Sequence, residues 1–224
     1  MAGDRGRRLV YLFSPGFSSL NGRMTFHSFT RDRDGWTTVE DVVAFANPHL
    51  EVHRVKVTSP SRPEPFTWSV CHRKGAVVVV PRTADGSFVL VRQERVPIRA
   101  AIWEFPAGQI DEATEHSEAA IRETGLRELQ EESGYILAPE GEITSLGHFF
   151  PSCGFTDEHS HLLLAHPVVM GEAGSSPEES ESIVEARAFS PVALRSMIAS
   201  GEICDANTLS AVCRLVTMGL VRFD

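Results

Sequence analysis

At 224 residues, with 42% hydrophobic and 23% charged side chains, the chain has the apolar content for one large core, or one core plus a small accessory layer. Its formal net charge of -9 argues against a protein that tracks nucleic-acid phosphates, and leaves open a small phosphorylated substrate held by local arginines or a metal. Cys71, Cys153, Cys204 and Cys213 have no metal-type spacing, no apolar run reaches the length of a membrane span, and the opening MAGDRGRRLVYLF lacks a secretion pattern. Reduced thiols, no membrane partner and a cytoplasmic location are therefore expected.

Residues 1–66 read as a small strand-rich domain, and 67–224 as the main one. RLVYLFS and MTFHSFTRD are expected strands around the turn SPGFSSLNG. TTVEDVVAFANP reads as a short helix capped by Thr38, with Val39, Val42, Val43 and Ala46 recurring at helical spacing and Pro48 ending it. LEVHRVKVTS alternates as a strand, and Pro60, Pro63 and Pro65 then read as a stiff connector. KGAVVVVPRTADGSFVLVRQERVP is a hairpin turning at Asp85 and Gly86, with Val77 to Val80 buried on both sides. In WEFPAG a strand ends at Phe105, Pro106 stops it, and Gly108 lets the backbone pass close to another group.

The chemistry concentrates in RELQEESG. On a helix, Glu128, Glu131 and Glu132 stand at i, i+3 and i+4 and share one side, with Arg127 beside them and Gly134 as the stop. Carboxylates stacked this way repel, so either the face is simply solvated or a hard divalent cation such as Mg²⁺ or Mn²⁺ bridges them. Further on, EITSLGHFF reads as a strand, PSCGFTDEHS as a loop, and His161 to Ala165 as another strand. Cys153 has His159 and His161 nearby in sequence but no strand-to-helix elbow for a nucleophile, and Phe155 suits either base stacking or core packing. The acidic segment MGEAGSSPEESE leads into the strand SIVEARAFS. Two helices close the chain, one from Ser190 and Pro191 to Gly201, the next capped by Asp205 or Asn207.

The run from Gly108 through an acidic loop to Arg127, Glu128, Leu129, Glu131, Glu132, Gly134 and Tyr135 resembles the Nudix hydrolase box. GAVVVVP, LVRQERVP, SCGFTDE and GEICDANTLSAV extend the resemblance over about residues 68–215, toward ADP-ribose pyrophosphatases and other nucleoside diphosphate sugar hydrolases. The first half of the box departs from the family pattern. Thr114 stands where a Glu is usual, with Glu112 or Glu115 as stand-ins, and the gap between Gly108 and Arg127 carries a surplus. That surplus, about five residues, turns an ideal helix by roughly 140°. Arg122/Glu123 and Arg127/Glu128 therefore cannot be equivalent; the second pair is preferred, with Gly125 as the expected kink or bulge.

The resemblance implies an α/β fold, a Nudix-type α/β/α sandwich with a mixed sheet, beside a small N-terminal β-rich domain that serves a homodimer. It implies Mg²⁺-dependent (or Mn²⁺-dependent) hydrolysis of a nucleoside diphosphate sugar, ADP-ribose favoured, with no nucleic-acid partner. Another sugar nucleotide, of the GDP-mannose or UDP-glucose type, and a non-catalytic nucleotide sensor are the alternatives. Implied metal ligands are the Ala107 carbonyl, Glu128, Glu132 and Glu131. Arg127 would orient a box carboxylate, and Glu181, then Glu179, would supply the general base. Arg95 is the first substrate-binding candidate, before Arg82 and Arg92, together with Gly108, Phe155 and Glu158, whereas Asp205 and Thr208 would fix a junction.

Overall fold

The computed structural model describes residues 35–110, 117–176 and 182–223. The expected strands within 1–34 lie outside these residues. Next in the chain come β1 (Thr37–Ala46), β2 (Leu50–Ser59) and β3 (Arg62–Arg73), an antiparallel sheet in the order β1-β2-β3. The helix expected over 38–47 is thus a strand. Its valines and threonines are stiff at χ1 and suit a pleated surface, and the partner β2 lies just beyond a tight turn. In that turn the Asn47 side chain accepts from the backbone N–H groups of His49 and Leu50. The proline connector is also absent: Pro63 and Pro65 lie in the first residues of β3, opposite the register shift between Val57 and Ser59. A missing N–H is tolerated beside such an irregularity. β3 continues through the expected 66/67 boundary to Arg73.

The larger sheet is built on β4 (Ala76–Thr83) and β5 (Phe88–Arg95), the expected hairpin, with Gly86 at φ +87° in the turn. β6 (Ala100–Glu104) pairs with β5 and the short β7 (Ala107–Gln109) with β4. After helix α1 (Glu118–Ser133) come β8 (Tyr135–Phe149), β9 (Ser160–Met170), β10 (Ile183–Phe189), α2 (Pro191–Ser200) and α3 (Ala206–Thr217). The main path runs β10-β5-β4-β9-β8, with β4 and β9 parallel and the other pairs antiparallel, so the sheet is mixed.

Alternation along β4 divides the core. Val78 and Val80 join Phe88, Leu90, Phe105, Leu194, Met197, Ala211 and Leu215, the layer under α2 and α3. Val77 and Val79 join Val89, Ile110, Ala120, Leu129 and Leu163, the layer under α1. Helices on both faces make the α/β/α sandwich. The helix ends follow from local chemistry: Ser117, Ser190 and Asp205 each accept the backbone N–H three residues on, and Gly134 and Gly201 close α1 and α2 with left-handed backbones.

Gly125 does not interrupt the helix. α1 is continuous through it, and a Cβ at this position would lie 2.9 Å from Leu163 Cδ1, 3.1 Å from Val79 Cγ2 and 3.2 Å from Val77 Cγ1. Gly125 thus lets α1 sit down on the sheet, and the surplus residues are not absorbed by a kink there. Gly125→Val is expected to overpack this contact and cost about 1–3 kcal/mol, read by calorimetry as a fall in Tm of several degrees.

Candidate active site

β7 brings three backbone residues alongside the buried start of β4, with Ala107 opposite Val78 and Gly108 opposite Val77. α1 crosses above them. Glu128 and Glu132, one turn apart, are only 4% and 1% exposed. Glu132 Oε2 accepts the Ala107 N–H at 3.0 Å. Glu128 presses against Gly108, where a Cβ would fall 1.9 Å from Glu128 Oε1 and 2.1 Å from Cδ. Any other residue would displace that carboxylate, which explains a glycine in a strand. Arg127 spans its neighbours, with Nη2 2.7 Å from Glu128 Oε1 and Nη1 2.7 Å from Glu131 Oε2. The second Arg-Glu pair therefore faces β7, while Arg122 and Glu123 are exposed.

Arg95, at the end of β5, donates from Nε to Glu104 Oε1 at 2.8 Å and from Nη2 to Oε2 at 2.6 Å. Burial alone would lower the guanidinium pKa, but the Glu104 bond and charge, joined by the charges of Glu132 and Asp205, raise it. Those same interactions tie Arg95 to the acidic box. Asp205 caps α3 through Thr208 N at 2.8 Å. Burial raises its carboxyl pKa and the Glu104 charge adds to this, opposed by the Thr208 hydrogen bonding and by Arg95. Thr208 in turn accepts the Phe105 N–H at 3.0 Å, so Asp205 and Thr208 join α3 to the strand end that precedes β7. Glu104 was not among the residues expected from sequence. Its signal is a charge set between two aromatics, Trp103 and Phe105, in a strand that ends in the core.

Two arginine candidates lie elsewhere. Arg82 sits at the hairpin end of β4, where Nη1 donates to the Leu220 carbonyl at 3.2 Å and the guanidinium covers the Phe88 ring. Arg92 faces Glu185 of β10 at 3.9 Å. The loop between β8 and β9 lies along β3: Arg73 Nη1 is 3.0 Å from Glu158 Oε1 and the His72 ring is 2.6 Å from Asp157 Oδ2. Phe155 is 56% exposed, which removes the core-packing reading. Cys153 is exposed while His159 is buried, its ring beside His161 and Phe150.

Glu179 and Glu181, like Glu112, Thr114 and Glu115, lie outside the described residues. The flanks of the first pair are fixed, with Ser176 N donating to Glu131 O and Glu94 N donating to Ser182 O. Among the described residues, no three His, Cys, Asp or Glu side chains converge into a ready-made metal cage. The available donors near β7 are carboxylate and carbonyl oxygens, which suit a hard cation rather than zinc.

A NUDIX domain model matches residues 72–211. Among curated proteins, the ADP-ribose pyrophosphatase of Bacillus subtilis is 33% identical over 138 residues, 62% of this chain and 70% of that protein. The methanol dehydrogenase activator of Bacillus methanolicus is 33% identical over 114 residues, 51% of this chain and 57% of its own length. A solved structure described as an ADP compounds hydrolase superposes with a TM-score of 0.67 at 18% identity, covering 86% of this chain and 100% of the other; at that identity the likeness speaks for the fold. The domain match spans more than half of the chain and includes both the β7 turn and the acidic face of α1, and the chain belongs to the NUDIX domain family.

Proposed function

We propose that the chain hydrolyses the pyrophosphate of a nucleoside diphosphate sugar, ADP-ribose first, to give AMP and ribose 5-phosphate. The observation that carries this reading is the pair of buried carboxylates, Glu128 and Glu132, held against the backbone of Ala107 and Gly108, with Arg95 in the electrostatic field of Glu132. The name of the Bacillus subtilis relative supports the choice of ADP-ribose.

Two adjacent buried carboxylates are costly to hold charged, and their hard oxygens fit Mg²⁺, with Mn²⁺ as a substitute. Glu128, Glu132 and the Ala107 carbonyl would hold the ion, with Glu131 joining by leaving Arg127; substrate phosphates and water complete such shells. When bound, the ion offsets charge that builds up on the phosphates. Arg127 keeps the carboxylates oriented. Arg95 is partly buried and bidentate on Glu104, a fork geometry that also suits an oxygen pair of a phosphate. Glu181, with Glu179 as the second choice, takes the proton of the attacking water. What supports this assignment is the anchoring of the described flanks, Ser176 N on the Glu131 carbonyl of α1 and the Ser182 carbonyl on Glu94 N of β5. Phe155 offers an exposed ring for the base, and Glu158 an acceptor for ribose hydroxyls. The small sheet exposes Val39, Val43, Phe45 and Trp68, which favours a homodimer formed through this N-terminal element in a cytoplasmic enzyme.

With ADP-ribose and Mg²⁺ the expected products are AMP and ribose 5-phosphate, and Glu132→Gln is expected to lower kcat by on the order of a hundredfold or more with an unchanged circular dichroism spectrum. A panel including GDP-mannose and UDP-glucose decides the sugar nucleotide, and tight binding with no cleavage of any member would replace the hydrolase by a sensor. Gly108→Ala pushes the Glu128 carboxylate aside, so the Mg²⁺ concentration for half-maximal rate is expected to rise roughly tenfold or more, seen in a metal titration. Val43→Lys combined with Phe45→Lys is expected to convert the dimer to monomer in sedimentation velocity; a wild-type monomer at micromolar concentration defeats the dimer reading.

A further inference from the structure

The loop between β8 and β9 carries Phe155 and Glu158 but forms no ladder of its own. Within it, Phe155 N and Thr156 N reach the Ser152 carbonyl at 3.3 Å, and Glu158 N reaches Thr156 Oγ1 at 3.0 Å. What fixes it comes from β3, a strand of the other sheet. Trp68 Nε1 donates to the Gly154 carbonyl at 3.1 Å. Cys71 N donates to the Phe155 carbonyl at 2.7 Å, and Cys71 forms an isolated parallel bridge with Thr156. His72 bonds Asp157, and Arg73 pairs with Glu158. Residues 68–73 therefore match residues 154–158 in sequence order. Just beyond, Ala76 N donates to the His159 carbonyl at 2.9 Å, and Ala76 is also the partner of Gln109 in β7. The clamped loop thus enters the main sheet at the residue that flanks the acidic box.

We propose that His72 and Arg73 are positioning residues for substrate binding, holding the loop Ser152–His159 in the shape that presents Phe155 and Glu158 to the nucleoside sugar. The proposal rests on the hydrolase reading for what the loop binds, and on the geometry above for the clamp. Asp157 is 6% exposed, and a buried carboxylate is stable only when paired. His72 is the side chain that pairs it. Around His72 stand Asp157 from the loop, Asp41 from β1, and Glu51 and His53 from β2. His53 is held between Asp41 at 2.6 Å and Glu51 at 3.0 Å, its ring edge-on to His72 at a centroid distance of 4.4 Å. The Asp157 hydrogen bond raises the His72 pKa above the ordinary value of 6.5; burial opposes it, and the charges of Asp157, Asp41 and Glu51 reinforce it. A raised histidine pKa contributes fully below the unfolded value and is lost as pH rises through the folded one. The clamp is thus charge-assisted below the raised His72 pKa and weakens as pH rises through it.

Steady-state kinetics on the full chain with ADP-ribose and Mg²⁺, from mildly acidic to alkaline pH, test this. His72→Ala and Arg73→Ala are expected to raise KM roughly tenfold, the loss of one charge-assisted bond, with kcat within about twofold, and Arg73→Lys to recover most of the loss. Wild-type KM should climb at alkaline pH, whereas His72→Gln, which keeps a donor but cannot titrate, should lose that climb. Wild-type KM and an unaltered pH profile in His72→Ala would overturn the proposal. Hydrogen exchange at the Phe155 and Thr156 amides separates it from the hydrolase reading. Faster exchange in His72→Ala, together with weaker ADP-ribose binding, supports the clamp even if the wild type cleaves nothing; unchanged exchange defeats it whatever the enzyme cleaves.

Discussion

The structure depends on how closely α1 approaches the sheet. Two glycines set that distance from opposite sides. Gly125 removes a side chain from the helix where Val77, Val79 and Leu163 rise to meet it, and Gly108 removes one from β7 where Glu128 descends. A side chain at Gly125 would press the helix away from the sheet, and one at Gly108 would displace the Glu128 carboxylate that meets it. The apolar contacts of α1 and its buried carboxylates are thus one constraint. Burial of Leu129 and Ala120 under the sheet supplies the free energy that holds Glu128 and Glu132 out of water.

β4 is the element to which every part of the site refers. Its two faces carry the two core layers, its first residues pair with both β7 and β9, and its far end closes through Arg82 onto the chain terminus. Because β9 runs parallel to β4, the start of β9 is placed at the start of β4, and the loop that precedes it arrives beside the box. The small sheet then reaches this loop through β3. An element that carries none of the box residues is thereby in contact with the segment proposed to hold the nucleoside.

What was legible in the sequence follows the range of the interaction that encodes it. The hairpin at Asp85–Gly86, the two closing helices begun at Ser190 and Asp205, and the helix that carries Glu128, Glu131 and Glu132 are local, and each appears as read. β1 was not legible because Val39, Val42, Val43 and Ala46 satisfy a helical recurrence, while what decides the outcome is the ladder offered by β2. Gly125 was misread for a related reason. Spacing within the box shows that a surplus exists, but the need for a glycine is created by Leu163, nearly forty residues away in sequence. Glu104 and Arg95 meet across β5 and β6, and His72 meets Asp157 across 85 positions. Neither pair leaves a local pattern, although buried charges between aromatics are a trace that can be sought.

Charge balance links the site to its substrate. Around β7 and the end of β5 the described residues gather Glu104, Glu128, Glu131, Glu132 and Asp205, against Arg95 and Arg127. These guanidiniums are already engaged with carboxylates. A nucleoside diphosphate would add further negative charge beside these buried carboxylates, where repulsion is far stronger than in water. Such a substrate can enter only with additional positive charge, so binding of the proposed cation and of the phosphates must be mutually favourable, each raising affinity for the other by the same factor. The chain's net charge of -9 is then no obstacle to a phosphate-binding role. On the proposed reading, the acidic site favours substrates that arrive with a metal or complete its coordination, and it disfavours polyanions, which need basic surface.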